Sequence, residues 1–141
     1  PGNNRHLPSL AVPSRVYSVF GVDLDALEAN DITFDGMQKR YPGAKVMEDF
    51  WVVLSLLTIG LPVALNYDYA FHQQHGRPGG CATYRTSKVQ ETAVRALNTH
   101  FPKYTKIVMK DNVSWGIDGE AQRYECHIQW KKALTDAQSL L

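Results

Sequence analysis

The chain lacks the sequence motifs of the common enzyme classes. It contains no GxSxG nucleophile elbow, no phosphate-binding loop, no GxGxxG dinucleotide fingerprint and no HExxH zinc-peptidase motif. It also lacks a basic tract interleaved with aromatic residues, which single-strand nucleic-acid binders use. The formal net charge is only +1, so no strong overall field attracts nucleic acid or acidic lipid. We therefore predict no cofactor and no nucleic-acid partner, and we favour a non-enzymatic role over an enzymatic one.

Cysteine is scarce, and Cys81 and Cys126 are the two that the chain contains. Cys81 precedes a predicted helix and Cys126 lies on the apolar side of a predicted strand, so packing of the helix on the strand would bring the sulfurs together. A disulfide between them would stabilise the fold by about 3–4 kcal/mol and would require an oxidising compartment. This pair is the candidate disulfide. The alternative is two free thiols, with Cys126 an ordinary core residue.

The histidines form only a weak metal-binding pattern. His72 and His75 stand before Cys81, and His127 follows Cys126. Zinc uses these ligand types, but structural zinc sites are built from two closely spaced pairs of ligands. An HxxH motif followed by a single cysteine supplies only one such pair. Cys126 and His127 are neighbours in a strand and point to opposite faces, so they cannot act together as nucleophile and base. We predict no metal site and keep His72 and His75 as weak candidates.

The most prominent feature that the chain does contain is a stretch of sixteen uncharged residues over 50–65, FWVVLSLLTIGLPVAL. We call this stretch the apolar run. Such a helix rises about 24 Å, whereas a membrane core is about 30 Å thick and needs about 20 residues. Aromatic residues flank the run at both ends, as Phe50, Trp51, Tyr67, Tyr69 and Phe71. Flanking aromatics are typical of membrane interfaces. We predict a long apolar central helix over 50–65 that serves as a transmembrane anchor. The alternative is a buried core helix over 50–59, a break at 60–62 and a strand over 63–69.

The residues after the run indicate a small α+β unit. Apolar residues recur at helical spacing over 88–100, and strand patterns follow over 104–110, 113–117 and 122–130. The fold class is therefore α+β: the apolar helix, a C-terminal helix, a three-stranded antiparallel meander and a short terminal helix over 131–141. The predicted boundaries are an N-terminal arm with a strand and a short helix over 1–49, the apolar helix over 50–71, a Gly/Pro linker over 72–80 and the α+β unit over 81–141.

The third predicted strand carries the best candidates for partner binding. Arg123 and His127 lie on its polar side, opposite Cys126, and Trp130 at its end is a suitable interface anchor. We predict a non-enzymatic subunit or accessory interaction protein of a larger membrane-associated or exported assembly, located at a membrane or outside the cytoplasm. Its partner is a protein, with membrane lipid as a second candidate.

The sequence also allows a different class of function. A Gly- and Pro-rich segment holds His72, His75 and Arg77 close together. The alternative hypothesis is a small soluble cytoplasmic enzyme or effector with its site near these three residues.

Overall fold

The computed structural model describes residues 10–12, 21–66, 84–111 and 121–141. The helices and strands in these residues are, in chain order, β1 Leu10–Ala11, α1 Leu24–Ala29, α2 Gly36–Arg40, α3 Glu48–Thr58, β2 Leu65–Asn66, α4 Ser87–His100, β3 Thr105–Asp111, β4 Gln122–Ile128 and α5 Trp130–Gln138. β1 pairs with β2, and β3 pairs with β4, both antiparallel. The broad prediction of an α+β fold is confirmed.

The chain divides into two compact units, each built from discontinuous segments. The described parts of the first unit are 10–12, 21–33, 52–66 and 130–141, and those of the second are 34–51, 84–111 and 121–129. The first unit therefore holds β1, α1, β2, α5 and most of α3, and the second holds α2, the start of α3, α4, β3 and β4. The boundaries predicted from the sequence stay a prediction.

The apolar run does not form one long helix. α3 has 11 residues and ends at Thr58. The Gly60 N–H donates to the Leu57 carbonyl at 3.1 Å, and the Leu61 N–H donates to the Leu56 carbonyl at 3.0 Å. Gly60 has a φ of +86°, a left-handed conformation that glycine adopts without steric cost, so these bonds form a Schellman cap. The predicted continuous helix over 50–65 is therefore wrong, because Gly60 terminates it.

The prediction of a transmembrane helix is wrong as well. Within the described ranges, every helix is too short or too polar to cross a membrane. The residues of α3 are instead enclosed by protein: Val53, Leu54 and Leu57 are at most 1% exposed. The structure matches the alternative considered from the sequence, in which a core helix is followed by a break at 60–62.

The cap of α3 yields a prediction about stability. We expect Gly60→Ala to lower the free energy of unfolding by about 1–2 kcal/mol, because a Cβ is strained in the left-handed region. The new Cβ would also lie 3.0 Å from Cδ1 of Leu141. Gly21→Ala is the matched control, because nothing lies within 4 Å of its Cβ position. Urea unfolding followed by circular dichroism measures both. Equal midpoints for Gly60→Ala and the wild type would contradict the strained cap.

α4 organises the second unit. Its N-cap is Thr86, whose hydroxyl accepts a hydrogen bond from the Val89 N–H at 3.2 Å. Ala93, Val94 and Leu97 form its fully buried stripe. This stripe has the helical spacing that the sequence predicted, and α4 packs on both β3 and β4.

The sheet differs from the predicted meander. β3 pairs directly with β4, with Ile107 opposite Cys126 and Lys106 opposite His127. A three-stranded meander would place the predicted strand 113–117 between them, so that prediction is wrong. Residues 113–117 themselves lie outside the described residues.

The predicted Cys81–Cys126 disulfide is also wrong. Cys126 is a free thiol and is 8% exposed. Burial, followed by the nearby charge of Glu125, raises the pKa of its thiol to about 11. Cys126 is thus an ordinary core residue, as the alternative to the disulfide proposed. Cys81 lies outside the described residues.

Candidate interaction surface

The side of the β3–β4 sheet that faces away from α4 carries a concentration of basic residues. Side chains alternate across each strand, and residues opposite one another in an antiparallel pair share a face. Cys126 and Ile128 are buried on the side of α4. The register therefore assigns six residues to the other side: Lys106, Val108, Lys110, Arg123, Glu125 and His127. We call these six residues the outer sheet face.

Charge on the outer sheet face is strongly unequal. Three cations, Lys106, Lys110 and Arg123, stand against one carboxylate, Glu125. Lys106 and Lys110 are exposed, and His127 is exposed directly opposite Lys106. This excess of two positive charges is concentrated on one sheet face of a chain whose total net charge is +1, and it attracts acidic groups.

Glu125 does not offset the exposed lysines, because it is paired with Arg123. The Arg123 Nε lies 2.8 Å from the Glu125 Oε1, and the two side chains are only 12% and 18% exposed. The sequence predicted both as solvent-facing residues, whereas the structure places most of each side chain out of solvent. The surface that a partner meets is therefore formed by Lys106, Lys110 and His127.

Hydrogen bonds from α4 hold the sheet in position beneath this surface. The Gln90 side chain is 1% exposed, and its Nε2 donates to the Tyr124 carbonyl at 3.2 Å. The Asn98 Nδ2 donates to the Thr105 carbonyl at 3.0 Å. Gln90 thus bonds to β4 and Asn98 to β3, so both strands are fixed to a single helix. Sites supported by such elements are more precise than sites on loops.

The other predicted site residues lie elsewhere or outside the described residues. Trp130 is half-buried and begins α5, in the first unit. His72, His75 and Arg77 lie outside the described residues. In the part of the chain that the structure describes, His, Cys, Asp and Glu form no group of three or more that could hold a metal ion.

Sequence reasoning missed Lys106 and Lys110. Their alternation along 104–110 was visible, but the predicted meander separated this strand from the one that carries His127. Only the direct pairing of β3 with β4 brings the two lysines beside the partner-binding candidates.

A separate aromatic cluster surrounds His100 at the end of α4. The His100 ring centroid lies 4.5 Å from that of Trp51 and 4.6 Å from that of Phe101. The Tyr41 hydroxyl lies 3.4 Å from His100 Nδ1. Burial, and to a smaller extent the charge of Arg40, lowers the pKa of His100. The aromatic surroundings of His100 therefore favour its neutral form over the charged one.

The lowered pKa of His100 predicts a pH dependence of stability. The folded state binds fewer protons than the unfolded state, so the contribution of His100 is complete above the unfolded pKa of about 6.5 and declines as the pH falls through it. We expect the stability difference between wild type and His100→Gln to become less favourable to wild type from about pH 7.5 to about pH 5.5. Urea midpoints at each pH measure this difference. The remaining histidines are common to both proteins, and a difference that is constant with pH would contradict the prediction.

Comparison with known proteins gives no relative for this chain. No protein-family model matches it, and neither a curated protein nor a solved structure is significantly similar to it.

Proposed function

We propose that this chain is a non-enzymatic interaction protein that binds an acidic protein surface through the outer sheet face. The observation that carries the proposal is the exposure of Lys106, Lys110 and His127 on one face whose single carboxylate is paired with Arg123. Complementary potentials of this kind steer encounter and select partners in protein complexes.

Protein is a better match than nucleic acid for this surface. The six positions of the outer sheet face include no Phe, Tyr or Trp, so His127 supplies the single ring on which a base could stack. Tight phosphate-backbone binding uses about 6–10 phosphate contacts, whereas two exposed lysines and one histidine supply few. The half-buried Val108, between Lys106 and Lys110 along β3, adds an apolar contact at the centre of the face.

Binding of a fluorescent poly-glutamate peptide, measured by anisotropy at low salt, tests the proposal. We expect Lys106→Glu/Lys110→Glu to raise the Kd at least about tenfold, because four units of charge change at the contact. The matched control is Lys45→Glu/Lys88→Glu, which changes the same charge at two exposed lysines of the second unit. Its Kd is expected to change by less than about threefold.

Two outcomes would overturn this proposal. Equal losses in the two double variants would mean that poly-glutamate responds to overall charge and that the outer sheet face is not a specific site. A single-stranded oligonucleotide that binds more tightly than poly-glutamate, and that is released by Lys106→Glu/Lys110→Glu, would assign the face to nucleic acid.

A further inference from the structure

The segment between Gly21 and Lys39 carries an acidic surface that is opposite in charge to the outer sheet face. Between Gly21 and Lys39 the chain contains five carboxylates and no lysine or arginine; the carboxylates are Asp23, Asp25, Glu28, Asp31 and Asp35. All five residues are exposed. A segment with charge of one sign attracts surfaces of the opposite charge.

Within the described residues, two of the five carboxylates form a hydrogen bond or an ion pair with other groups of the chain, and three do not. Asp23 caps α1 by accepting from the Ala26 N–H at 3.1 Å, and Asp35 pairs with Lys39 at 3.0 Å. For Asp25, Glu28 and Asp31, the described residues supply no ion pair. These three acidic residues are therefore free to meet cations of another molecule.

α1 presents the acidic residues together with an apolar contact. Leu27 is the buried residue of α1. Residues three and four positions apart are neighbours on a helix surface, so Leu24, Asp25 and Glu28 form one exposed face. Leu24 is 70% exposed. An apolar residue flanked by carboxylates is the complement of the outer sheet face, where Val108 stands between two lysines.

We propose that the acidic partner of the outer sheet face is a second copy of this chain, which docks its α1 face of Leu24, Asp25 and Glu28 against Lys106 and Lys110. This inference rests on the proposed function and adds the identity of the partner. The two surfaces differ, so each contact joins unlike patches of two copies. Such contacts generate a reciprocal dimer, a ring or an open chain of copies, depending on the rotation between neighbours.

Ionic strength gives the first test. Contacts between exposed charges are screened as the Debye length falls from about 20 Å to about 4 Å between about 20 mM and 500 mM salt. In sedimentation velocity, we expect a weight-average mass well above the 15.9 kDa monomer at low salt, and the monomer mass at high salt. A monomer at low salt would overturn the homotypic contact.

Charge exchange gives the decisive test. Asp25→Lys/Glu28→Lys and Lys106→Glu/Lys110→Glu are each expected to sediment as monomers, because each places like charges across the contact. An equimolar mixture of the two variants is expected to associate, because the lysines of one now face the carboxylates of the other. This rescue also shows that both variants are folded, which thermal melts followed by circular dichroism check independently.

The failure of this inference is distinguishable from the failure of the proposed function. Site-specific poly-glutamate binding by a chain that stays monomeric would retain the acidic partner and reject the second copy. Association that survives both charge reversals, or a mixture that stays monomeric, would overturn the α1 contact. Loss of site specificity toward poly-glutamate would overturn both.

Discussion

Leu97→Ala is expected to lower the free energy of unfolding by about 3 kcal/mol, as truncation of a fully buried leucine does when the surroundings cannot collapse. Leu97 is 0% exposed at the centre of the α4 stripe, between the equally buried Val94 and the 7% exposed Phe101. Its neighbours are further fixed by hydrogen bonds between α4 and both strands. The cavity would therefore persist, and the full cost of the lost contacts would appear.

Urea unfolding measures this loss, and Thr99→Ala is the control. Thr99 is exposed on the same helix, where a substitution to alanine changes stability by less than about 0.5 kcal/mol. A loss under about 1 kcal/mol in Leu97→Ala would mean that α4 can shift into the vacated space. The packing of α4 described above would then be wrong.

The free energy of unfolding of a domain of this length is about 5–15 kcal/mol. The loss expected for Leu97→Ala is a large part of that, so it also affects the sheet that α4 supports. α4 carries the hydrogen bonds to β3 and β4, and these strands present the outer sheet face. We therefore expect Leu97→Ala to weaken poly-glutamate binding near its unfolding temperature and to leave it unchanged well below that temperature. Binding that is weakened equally at all temperatures would mean that the cavity alters the geometry of the sheet.

Local sequence patterns predicted the helix caps, which depend on residues within one turn, and the buried face of α4, which depends on the spacing of its apolar residues. The sequence offers Asp23 or Asp25 as the cap of α1 and Thr86 or Ser87 as the cap of α4, and the structure has Asp23 and Thr86. The apolar spacing of α4 predicts a buried stripe of Val89, Ala93, Val94, Leu97 and Phe101, and all of these except the half-buried Val89 are buried. These features depend on residues within a few positions of one another, so a sequence can specify them without knowledge of the tertiary fold.

The environment of the apolar run could not be predicted in the same way. Lipid and a protein core both favour uncharged residues, so composition alone does not separate them. The deciding signal was Gly60 followed by Pro62, which matches a helix C-cap with proline shortly after it. The aromatic flanks suggested a longer segment, but the left-handed conformation of Gly60 ends the helix at Thr58.

The candidate site depended on strand pairing, which is a long-range property. Alternation placed His127 and Cys126 on opposite faces of one strand correctly. It did not specify that Lys106 lies opposite His127, because that requires the register between residues about twenty positions apart. It also did not reveal that Arg123 and Glu125 are mostly buried, since charged residues on a strand face are exposed by default.

Because the Arg123 and Glu125 side chains are mostly buried, Glu125→Gln is expected to lower the free energy of unfolding by about 2–3 kcal/mol. The substitution replaces the carboxylate that lies 2.8 Å from the Nε of Arg123 by a neutral amide, and the Arg123 side chain is only 12% exposed. Loss of the charged partner from a mostly buried ion pair is costly because the attraction is lost while the cation stays out of water. Chemical denaturation at pH 7 measures the change.

The matched control for this prediction lies on α4. The Arg95 Nε and the Glu91 Oε1 are also 2.8 Å apart, but their side chains are 56% and 33% exposed. Glu91→Gln is therefore expected to cost no more than about 0.5 kcal/mol, the usual value for an exposed helical pair. Equal losses at the two sites would mean that burial does not determine the strength of the Arg123–Glu125 pair.

A double substitution separates the pair from its role in binding. We expect Arg123→Met/Glu125→Met to be less destabilised than Glu125→Gln alone, because replacing both members of a mostly buried ion pair by apolar groups also removes the cation from the protein interior. Lys106 and Lys110 remain in this variant, so it is expected to bind poly-glutamate within about threefold of wild type. A variant that keeps its stability but loses binding would mean instead that Arg123 contacts the partner directly, together with Lys106 and Lys110.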